Sequence, residues 1–237
     1  MRSLLIADAL FSLPYGQYTC QTNYSRTPMP STTTIDPKEL SQREMYKLMV
    51  SSIVPRPIAL VSTCNTEGAG NLAPFSFYNG VSSNPPCLMF SCAVGGSGSK
   101  KDTLRNIEET KEFVVSTTNE WIIEPVVKAA AEYPYGINEM EAVGLTPAQC
   151  EWIRPARVAE AAVSFECSLH TLVPIGDGGP GSAVIVVGEI IYMHIHEECY
   201  QDGAIDYEKL APVSRLGGLS YSKRGESFEL RVPKLSS

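Results

Sequence analysis

Two long segments with the periodicity of β-strands, joined by a glycine-rich turn, constrain the fold of this chain more than any other feature. Apolar and polar residues alternate over residues 163–170, and the longest apolar segment covers residues 183–196. Residues 174–181, between the two segments, consist largely of glycine and proline. The sequence therefore predicts that the two segments pair as an antiparallel sheet and that the first strand is half-buried.

Shorter strands and helices surround this pair. A helix is expected to begin with Asp102 as its N-cap, and a second is expected over about residues 121–131, with Pro125 delaying its regular part. Residues 133–155 are rich in turn residues and are expected to form an excursion from the rest of the fold. The pattern predicts a mainly β fold, a β-barrel with helical insertions, whose further strands are residues 58–63, 87–92 and 112–118.

Residues 1–34 differ in composition from the rest of the chain. They are rich in Ser, Thr, Pro and Tyr and have no periodicity, which predicts a loosely ordered extension. Asp8 interrupts the first apolar stretch, so a secretory signal peptide is not predicted, and Met29 is a candidate start codon. Residues 35–237 are predicted to form one folded domain.

The charge balance excludes some classes of partner. With 19 Lys+Arg against 26 Asp+Glu, the net charge of -7 has the wrong sign for a protein that wraps nucleic acid or adheres to an anionic membrane. Every apolar run is well short of the ~20 residues that span a bilayer. The 7 cysteines form no C-x-x-C pair, which predicts no disulfide framework and favours a reducing, cytoplasmic compartment.

The loop over residues 95–105 is the first candidate binding site. A Gly/Ser segment that ends at a helix N-terminus offers free backbone N–H groups and the positive end of the helix dipole. Lys100, Lys101, Thr103 and Arg105 add cations and a hydroxyl within one turn. This combination predicts a site for one phosphate group, and the alternative is a solvated surface loop. The spacing does not match a P-loop.

Residues 71–80 form the second candidate site, because they combine aromatic side chains with small polar groups directly after a buried strand. Such a segment suits a planar heteroaromatic ligand, although a core-packing turn is the alternative. The hydroxyl groups of Ser62, Thr63 and Ser91 are able to form hydrogen bonds either with a ligand or with the backbone. Arg215, beside the flexible pair Gly217 and Gly218, either reaches an anionic ligand or lies in a C-terminal turn.

Hydrolytic and metal chemistry receive little support from the sequence. His194 and His196 are two residues apart on a predicted strand and share a face with Ile190 and Tyr192. The nearest acidic residues on that strand have the opposite parity, so no metal site is predicted. No G-x-S-x-G motif occurs, which argues against a serine hydrolase.

Taken together, these segments resemble the flavin reductase-like family of FMN-binding split-barrel proteins, in its flavoredoxin-type branch. The resemblance covers about residues 44–232 in one consistent order. Its motifs are SIVPRPIALVST at 52–63, NLAPFSFYN at 71–79, NPP at 84–86, KDTLRNI at 101–107, GLT at 144–146, GEI at 188–190 and RLGGLSY at 215–221.

The resemblance implies a Greek-key split barrel that forms a homodimer and binds FMN near the subunit interface. It places the isoalloxazine and ribityl groups along residues 56–63 and 71–79, and the phosphate at residues 101–103. Arg215 is implied to close the site, and no catalytic residue is assigned. The implied cofactor-binding residues are Arg56, Ser62, Thr63, Asn71, Ala73, Ser76, Phe77, Asn79, Ser91, Lys101, Asp102, Thr103 and Arg215.

The expected function is that of an FMN-binding oxidoreductase that transfers hydride or electrons between NAD(P)H, or a small organic substrate, and flavin. NAD(P)H is expected to bind transiently, because no dinucleotide-binding fingerprint is present. A partner oxygenase is a further expectation. The alternatives are a non-turnover FMN-binding electron carrier and a structural barrel with a degenerate site.

Overall fold

The apolar runs of the sequence form one large antiparallel sheet, as a computed structural model shows. The model describes residues 31–95, 98 and 100–233. The strands are β1 Arg56–Pro57, β2 Ala59–Cys64, β3 Gly70–Phe75, β4 Tyr78–Ser83, β5 Pro86–Ala93, β6 Glu112–Thr117, β7 Pro147–Ala148, β8 Arg157–Val158, β9 Val163–Ile175, β10 Ala183–Ile195, β11 Tyr200–Gln201, β12 Ala204–Ile205, β13 Val213–Arg215 and β14 Tyr221–Lys223. The large sheet has the order β3-β2-β6-β9-β10-β5-β4, and β1-β13-β14 form a second sheet.

The helices are short and lie between the strands. They are α1 Gln42–Ser52, α2 Asp102–Thr110, α3 Ile123–Lys128, α4 Glu139–Ala142 and α5 Tyr207–Leu210, with 3-10 turns at Pro37–Glu39, Glu120–Ile122 and Glu197–Cys199. Within the described residues, no helix has the length and hydropathy needed to cross a bilayer. The mainly β fold that the sequence predicts is confirmed.

The large sheet curls around one apolar core. The Phe75 ring on the edge strand β3 lies 4.9 Å from the ring of Phe90 on β5, so the two ends of the sheet meet. Phe113 on β6 packs edge-on against Phe90 at 5.6 Å and comes so close to Gly188 that a Cβ there would lie 2.2 Å from the Phe113 ring. Leu104 and Ile107 of α2 also belong to this core. The sheet is therefore a barrel that α2 packs against.

A second apolar cluster covers the outer side of β2. Leu60 and Leu72 pack there against Ile122 and Val126, with Met140 from the excursion and Val158 from β8. Because β2 is buried on both faces, its sequence is a continuous apolar and hydroxyl run rather than an alternating one.

The predicted pair of long strands is present, with two differences from the predicted pattern. β9 and β10 pair antiparallel along their lengths, as expected. However, Ser164 and Glu166 are buried, because the excursion covers the outer face of β9, so the prediction of a half-buried strand is wrong for its first half. A register shift between Ile190 and Tyr192 also places these two residues on opposite faces, which corrects the shared face that simple alternation predicts.

One compact unit begins at Leu40, and residues 31–34 have no regular structure and are exposed. The rest of the predicted extension, including Met29, lies outside the described residues. Six cysteines within the described residues, from Cys64 to Cys199, are free and buried, as small apolar side chains would be.

Candidate functional site

A cavity of about 290 Å³ opens between the edge strand β3 and the N-terminus of α2. Its third wall is the chain that follows α3, together with the first residue of α4. This volume is just below the ~300 to 1,000 Å³ of typical ligand sites. The lining residues are Asn71, Ala73, Pro74, Phe75, Gly95, Lys100, Lys101, Asp102, Thr103, residues 129–133 and Glu139.

The helix at the cavity begins one residue earlier than a cap at Asp102 requires. Lys101 is the N-cap and has extended backbone angles, and Asp102 is the first helical residue, so the prediction of Asp102 as N-cap is wrong. The Lys101 side chain makes no capping hydrogen bond. Because the first N–H groups of a helix have no acceptor within the helix, this end of α2 presents donors and the positive end of the helix dipole to the cavity.

A buried polar network fixes α2 against the barrel wall beneath the cavity. The Asn71 amide donates to the hydroxyl oxygens of Thr103, at 3.0 Å, and Thr63, at 3.1 Å. The Asn106 amide donates to the same Thr63 oxygen at 3.0 Å, while the Asn106 Oδ1 atom is buried with no hydrogen-bond partner. Three elements, β2, β3 and α2, are thus joined by side-chain hydrogen bonds at one point.

One wall of the cavity is acidic. Glu139 is buried, and its Oε2 accepts the N–H of Leu72 at 2.8 Å, which ties the excursion to the edge strand β3. Burial raises the pKa of Glu139, and the nearby Asp102 carboxylate acts in the same direction, while hydrogen bonds from backbone N–H groups oppose the rise. A carboxyl group therefore lines the same cavity as Lys100 and Lys101.

The basic residues of the loop lie at the surface of the cavity. Lys100 pairs with Glu108 at 2.5 Å, and Lys101 is exposed. Arg105 is directed elsewhere, since its guanidinium stacks on the Tyr135 ring at 4.5 Å and lies 3.8 Å from Asp102. The predicted basic cluster is therefore divided between cavity, surface and excursion. Residues 96, 97 and 99 of the loop lie outside the described residues.

The structure brings five of the sequence-predicted site residues into this cavity: Asn71, Ala73, Lys101, Asp102 and Thr103. Thr63 lies beneath it and is connected through Asn71. Ser62 faces the outer layer, where its hydroxyl donates to the Ala156 carbonyl at 2.5 Å, and this agrees with the backbone-serving alternative.

Four other predicted residues gather around β1 and β13, away from the cavity lining. Arg56 is buried and donates to the carbonyls of Val50 and Ile53, each at 2.7 Å, and of Leu216 at 3.0 Å. Its side chain also reaches the Ser76 hydroxyl at 3.5 Å and lies 5.8 Å from the Phe77 ring. Arg215, opposite Arg56 in the β1-β13 pair, stacks on Tyr221 at 4.3 Å and donates to the Gly218 carbonyl.

The two remaining predicted residues lie on β4 and β5. The Asn79 side chain accepts the N–H of Gly80 at 2.9 Å. Ser91 is half-buried, and its backbone N–H donates to the Phe77 carbonyl at 2.9 Å. These residues do not line the cavity beside α2.

A second polar cluster lies on the outer face of β9, where Cys150, Glu166 and His194 place their ligand atoms within 4.8 Å of one another. His194 Nε2 is 2.6 Å from Glu166 Oε1, and the Glu166 carboxylate accepts the N–H groups of Glu151 at 2.7 Å and Trp152 at 2.9 Å. Burial acts to raise the pKa of Glu166, but these hydrogen bonds outweigh it and lower the pKa. Burial raises the pKa of the Cys150 thiol to about 12.

Some residues of the cavity and of the Glu166 cluster belong to no sequence motif that would predict their position. Glu139 and residues 129–133 come from a helix end and a turn-rich stretch, and nothing in their spacing places them against β3. Glu166 sits at a polar position of an alternating strand, which predicts exposure. Lys100 is the exception, because the loop motif already contains it.

Comparison with known proteins agrees with this architecture. The model of the family described as "Flavin reductase like domain" matches residues 50–211. Nitrilotriacetate monooxygenase component B from Bacillus cereus is 37% identical, with a TM-score of 0.82 over 85% of this chain and 100% of that one. The 2-nitrobenzoate 2-nitroreductase of Pseudomonas fluorescens is 34% identical, with a TM-score of 0.72 over 85% of this chain and 96% of that one.

A third solved structure identifies the fold by name. It is a putative flavin reductase with a split barrel domain from Shewanella frigidimarina, 23% identical with a TM-score of 0.72, and the match covers 83% of this chain and 96% of that one. The barrel described above is therefore a split barrel. With more than half of its residues matched by the family model, the chain belongs to the flavin reductase-like family.

Proposed function

We propose that the protein is an FMN-dependent oxidoreductase that transfers hydride or electrons between NAD(P)H, or a small organic substrate, and flavin. The observation that carries this proposal is the cavity in which an uncapped helix N-terminus and Lys101 lie beside the barrel strand β3. Membership of a flavin-binding family supports a flavin as its ligand.

The residues of the cavity fit the two ends of an FMN molecule. The N–H groups at the start of α2, with Lys101 and Thr103, supply donors and positive charge for the phosphate. Asn71, Ala73 and Phe75 supply an amide and apolar surface for the ring system. Since a phosphate monoester fits one helix N-terminus, we propose FMN rather than FAD.

Besides Thr63, which lies beneath the cavity, seven predicted residues lie outside the cavity lining and stay predictions. Ser62 bonds the backbone of the outer layer, and the others surround the β1-β13 pair and β5: Arg56, Ser76, Phe77, Asn79, Ser91 and Arg215. They hold flavin only if the ligand extends from the cavity across the barrel wall toward them.

The chemistry of the reaction would come mainly from the cofactor, because bound flavin accepts hydride at N5 and its reduction places negative charge near N1 and O2. The residues of this chain would bind the cofactor and orient it. The network of Asn71, Thr103, Thr63 and Asn106 keeps β3 and α2 at a fixed separation, so that both ends of one ligand meet fixed partners.

The names of the nitrilotriacetate monooxygenase component and of the nitroreductase support two kinds of reaction partner. One is a component of a monooxygenase, which supports a role in which this protein supplies electrons to a partner oxygenase. The other is a nitroreductase, which supports direct action on a small organic molecule. We propose an oxidoreductase of one of these types in the cytoplasm.

A homodimer is part of the proposal. α1 begins with a capping box formed by Ser41 and Glu44, yet Val50 is its one buried residue. An amphipathic helix that buries so little within its own chain is expected to pack against another surface. The exposed apolar residues on and after α1 are Tyr46, Leu48, Met49, Ile53 and Val54. Light scattering of the purified protein measures its mass.

Anaerobic mixing of the FMN-loaded protein with NADH or NADPH tests the function. Loss of the visible flavin absorption is the expected result. Retained FMN that neither nicotinamide reduces would favour the electron carrier. A colourless protein that does not bind added FMN would support a structural barrel and contradict the proposal.

A further inference from the structure

The charges around the cavity are distributed unevenly between its surface and its interior. Lys100 and Lys101 are both exposed, and the Lys100 ammonium is already paired with Glu108 at 2.5 Å. The carboxylates are less accessible, since Glu139 is buried and Asp102 is half-buried, although Asp102 also lies 3.8 Å from the Arg105 guanidinium. Solvent and salt screen exposed charges more strongly than buried ones. Glu139 therefore contributes more to the potential inside the cavity than a count of charges suggests.

Glu139 is the charged group whose effect on an anionic ligand is least screened. It lines the same cavity as the N-terminus of α2; burial raises its pKa, and hydrogen bonds from two backbone N–H groups, one of them Leu72, oppose that rise. At a pH well above the ordinary carboxyl range, the group is expected to be ionised. Its negative charge opposes a second anion in the same space. The residues of the loop that are not described are Gly and Ser, which bring no further charge.

We propose that Glu139, assisted by Asp102, is a specificity-determining residue that limits the preference of this site for phosphorylated over unphosphorylated flavin. The proposal rests on the proposed function, since it assumes that flavin occupies the cavity. The α2 N-terminus and Lys101 attract the phosphate, and the two carboxylates subtract from that attraction. The ring system carries no charge, so the two carboxylates do not repel it.

The variant Glu139→Gln isolates the charge from the structure. A glutamine side-chain oxygen accepts the Leu72 N–H as the carboxylate does, so the tie between α4 and β3 is kept. Glu141→Gln is the matched control. It removes the same charge from the same short helix, and Glu141 is exposed and outside the cavity lining.

The experiment measures the dissociation constants of FMN and riboflavin for wild type and both variants, at about pH 8 where carboxyl groups are ordinarily ionised. We expect Glu139→Gln to tighten FMN binding about 3- to 10-fold and to leave riboflavin binding unchanged. The control is expected to change neither. An unchanged ratio of the two constants in Glu139→Gln, or an equal change in the control, would overturn the proposal.

Two further outcomes are kept separate. If Glu139→Gln does not fold, as circular dichroism would reveal, Asp102→Asn takes its place and is expected to shift the same ratio in the same direction; an unshifted ratio there overturns the proposal. If the wild type binds neither flavin, the proposed function itself fails, and the inference about Glu139 fails with it. That result differs from an unchanged ratio of the two constants, which would overturn the inference alone.

Discussion

The cavity beside α2 and the cluster around Glu166 both place charged groups inside the protein, but they differ in how those groups are satisfied. In the cluster, Glu166 accepts two backbone N–H groups and a bond from His194. In the cavity, the first amides of α2 receive no side-chain cap, and Lys101 faces solvent. A satisfied buried charge holds structure together, whereas unsatisfied donors around an open space are what a ligand can use.

The largest expected effect comes from breaking the satisfied cluster. Glu166→Ala leaves His194 and the Glu151 and Trp152 amides without their acceptor, and each buried donor left without a partner costs about 1 to 3 kcal/mol. Urea unfolding measures the loss, with Glu141→Ala on the surface as the control. A loss below about 1 kcal/mol, as for an ordinary surface change, would contradict the structural role.

A smaller change in free energy is expected when a residue of the cavity beside α2 is substituted. Lys101→Glu should weaken FMN binding by about 1.5 to 3 kcal/mol, the contribution of one hydrogen bond to a charged group, and should leave riboflavin binding and stability nearly unchanged. Fluorescence titration measures both flavins. Lys209→Glu, an exposed reversal on α5, is the matched control. Equal FMN affinity for wild type and Lys101→Glu would refute the phosphate assignment.

The network beneath the cavity is expected to serve both stability and binding. Thr103→Val keeps the shape of the side chain but removes the oxygen that accepts the Asn71 amide. We expect a loss of about 1 kcal/mol in unfolding free energy together with weaker binding of both flavins, and the loss is expected to be larger for FMN because the Thr103 hydroxyl is also proposed to contact the phosphate. Unchanged stability and unchanged affinity for both flavins would show that the network positions nothing.

The smallest expected effect is in the pH dependence of stability, and its sign differs between the two regions. Hydrogen bonds lower the pKa of Glu166 despite its burial, so its contribution is present above the unfolded-state pKa and is lost as the pH falls through the folded-state value. Burial raises the pKa of Glu139, so its contribution is present below the unfolded-state pKa and is lost as the pH rises through the folded-state value.

Urea unfolding across the acidic to neutral range separates these two cases. Above the ordinary carboxyl range, Glu139→Gln is expected to be more stable relative to wild type than it is in acid. Glu166→Gln is expected to be less stable relative to wild type there than in acid. Identical signs for the two variants would contradict the contrast between the regions.

The sequence predicts the elements of the fold well, because each depends on local pattern. The buried strand β2, the pair of β9 and β10 and the helix after the glycine-rich loop follow from periodicity and turn residues. The predicted N-cap, Asp102, is one residue beyond the observed N-cap, Lys101. N-cap preference favours aspartate over lysine, so residue type alone predicts the wrong position. The bulge next to Ile191 was missed because alternation alone contains no signal for an extra residue.

The two polar regions were predicted unequally for a related reason. Asn71, Lys101 and Thr103 belong to two local motifs, and their meeting requires only that α2 packs beside β3. Glu139 reaches Leu72 across a separation of 67 residues, and Glu166 reaches Trp152 from another segment of the chain. Such contacts depend on how the excursion folds over the barrel, and no pattern within the excursion specifies that.

A crystal structure of the protein with FMN tests the central claim most directly. We expect the phosphate to accept the N–H groups at the start of α2 beside Lys101, with the ring system against β3. Electron density that places the phosphate elsewhere, or the rings out of reach of β3, would contradict the assignment of this cavity.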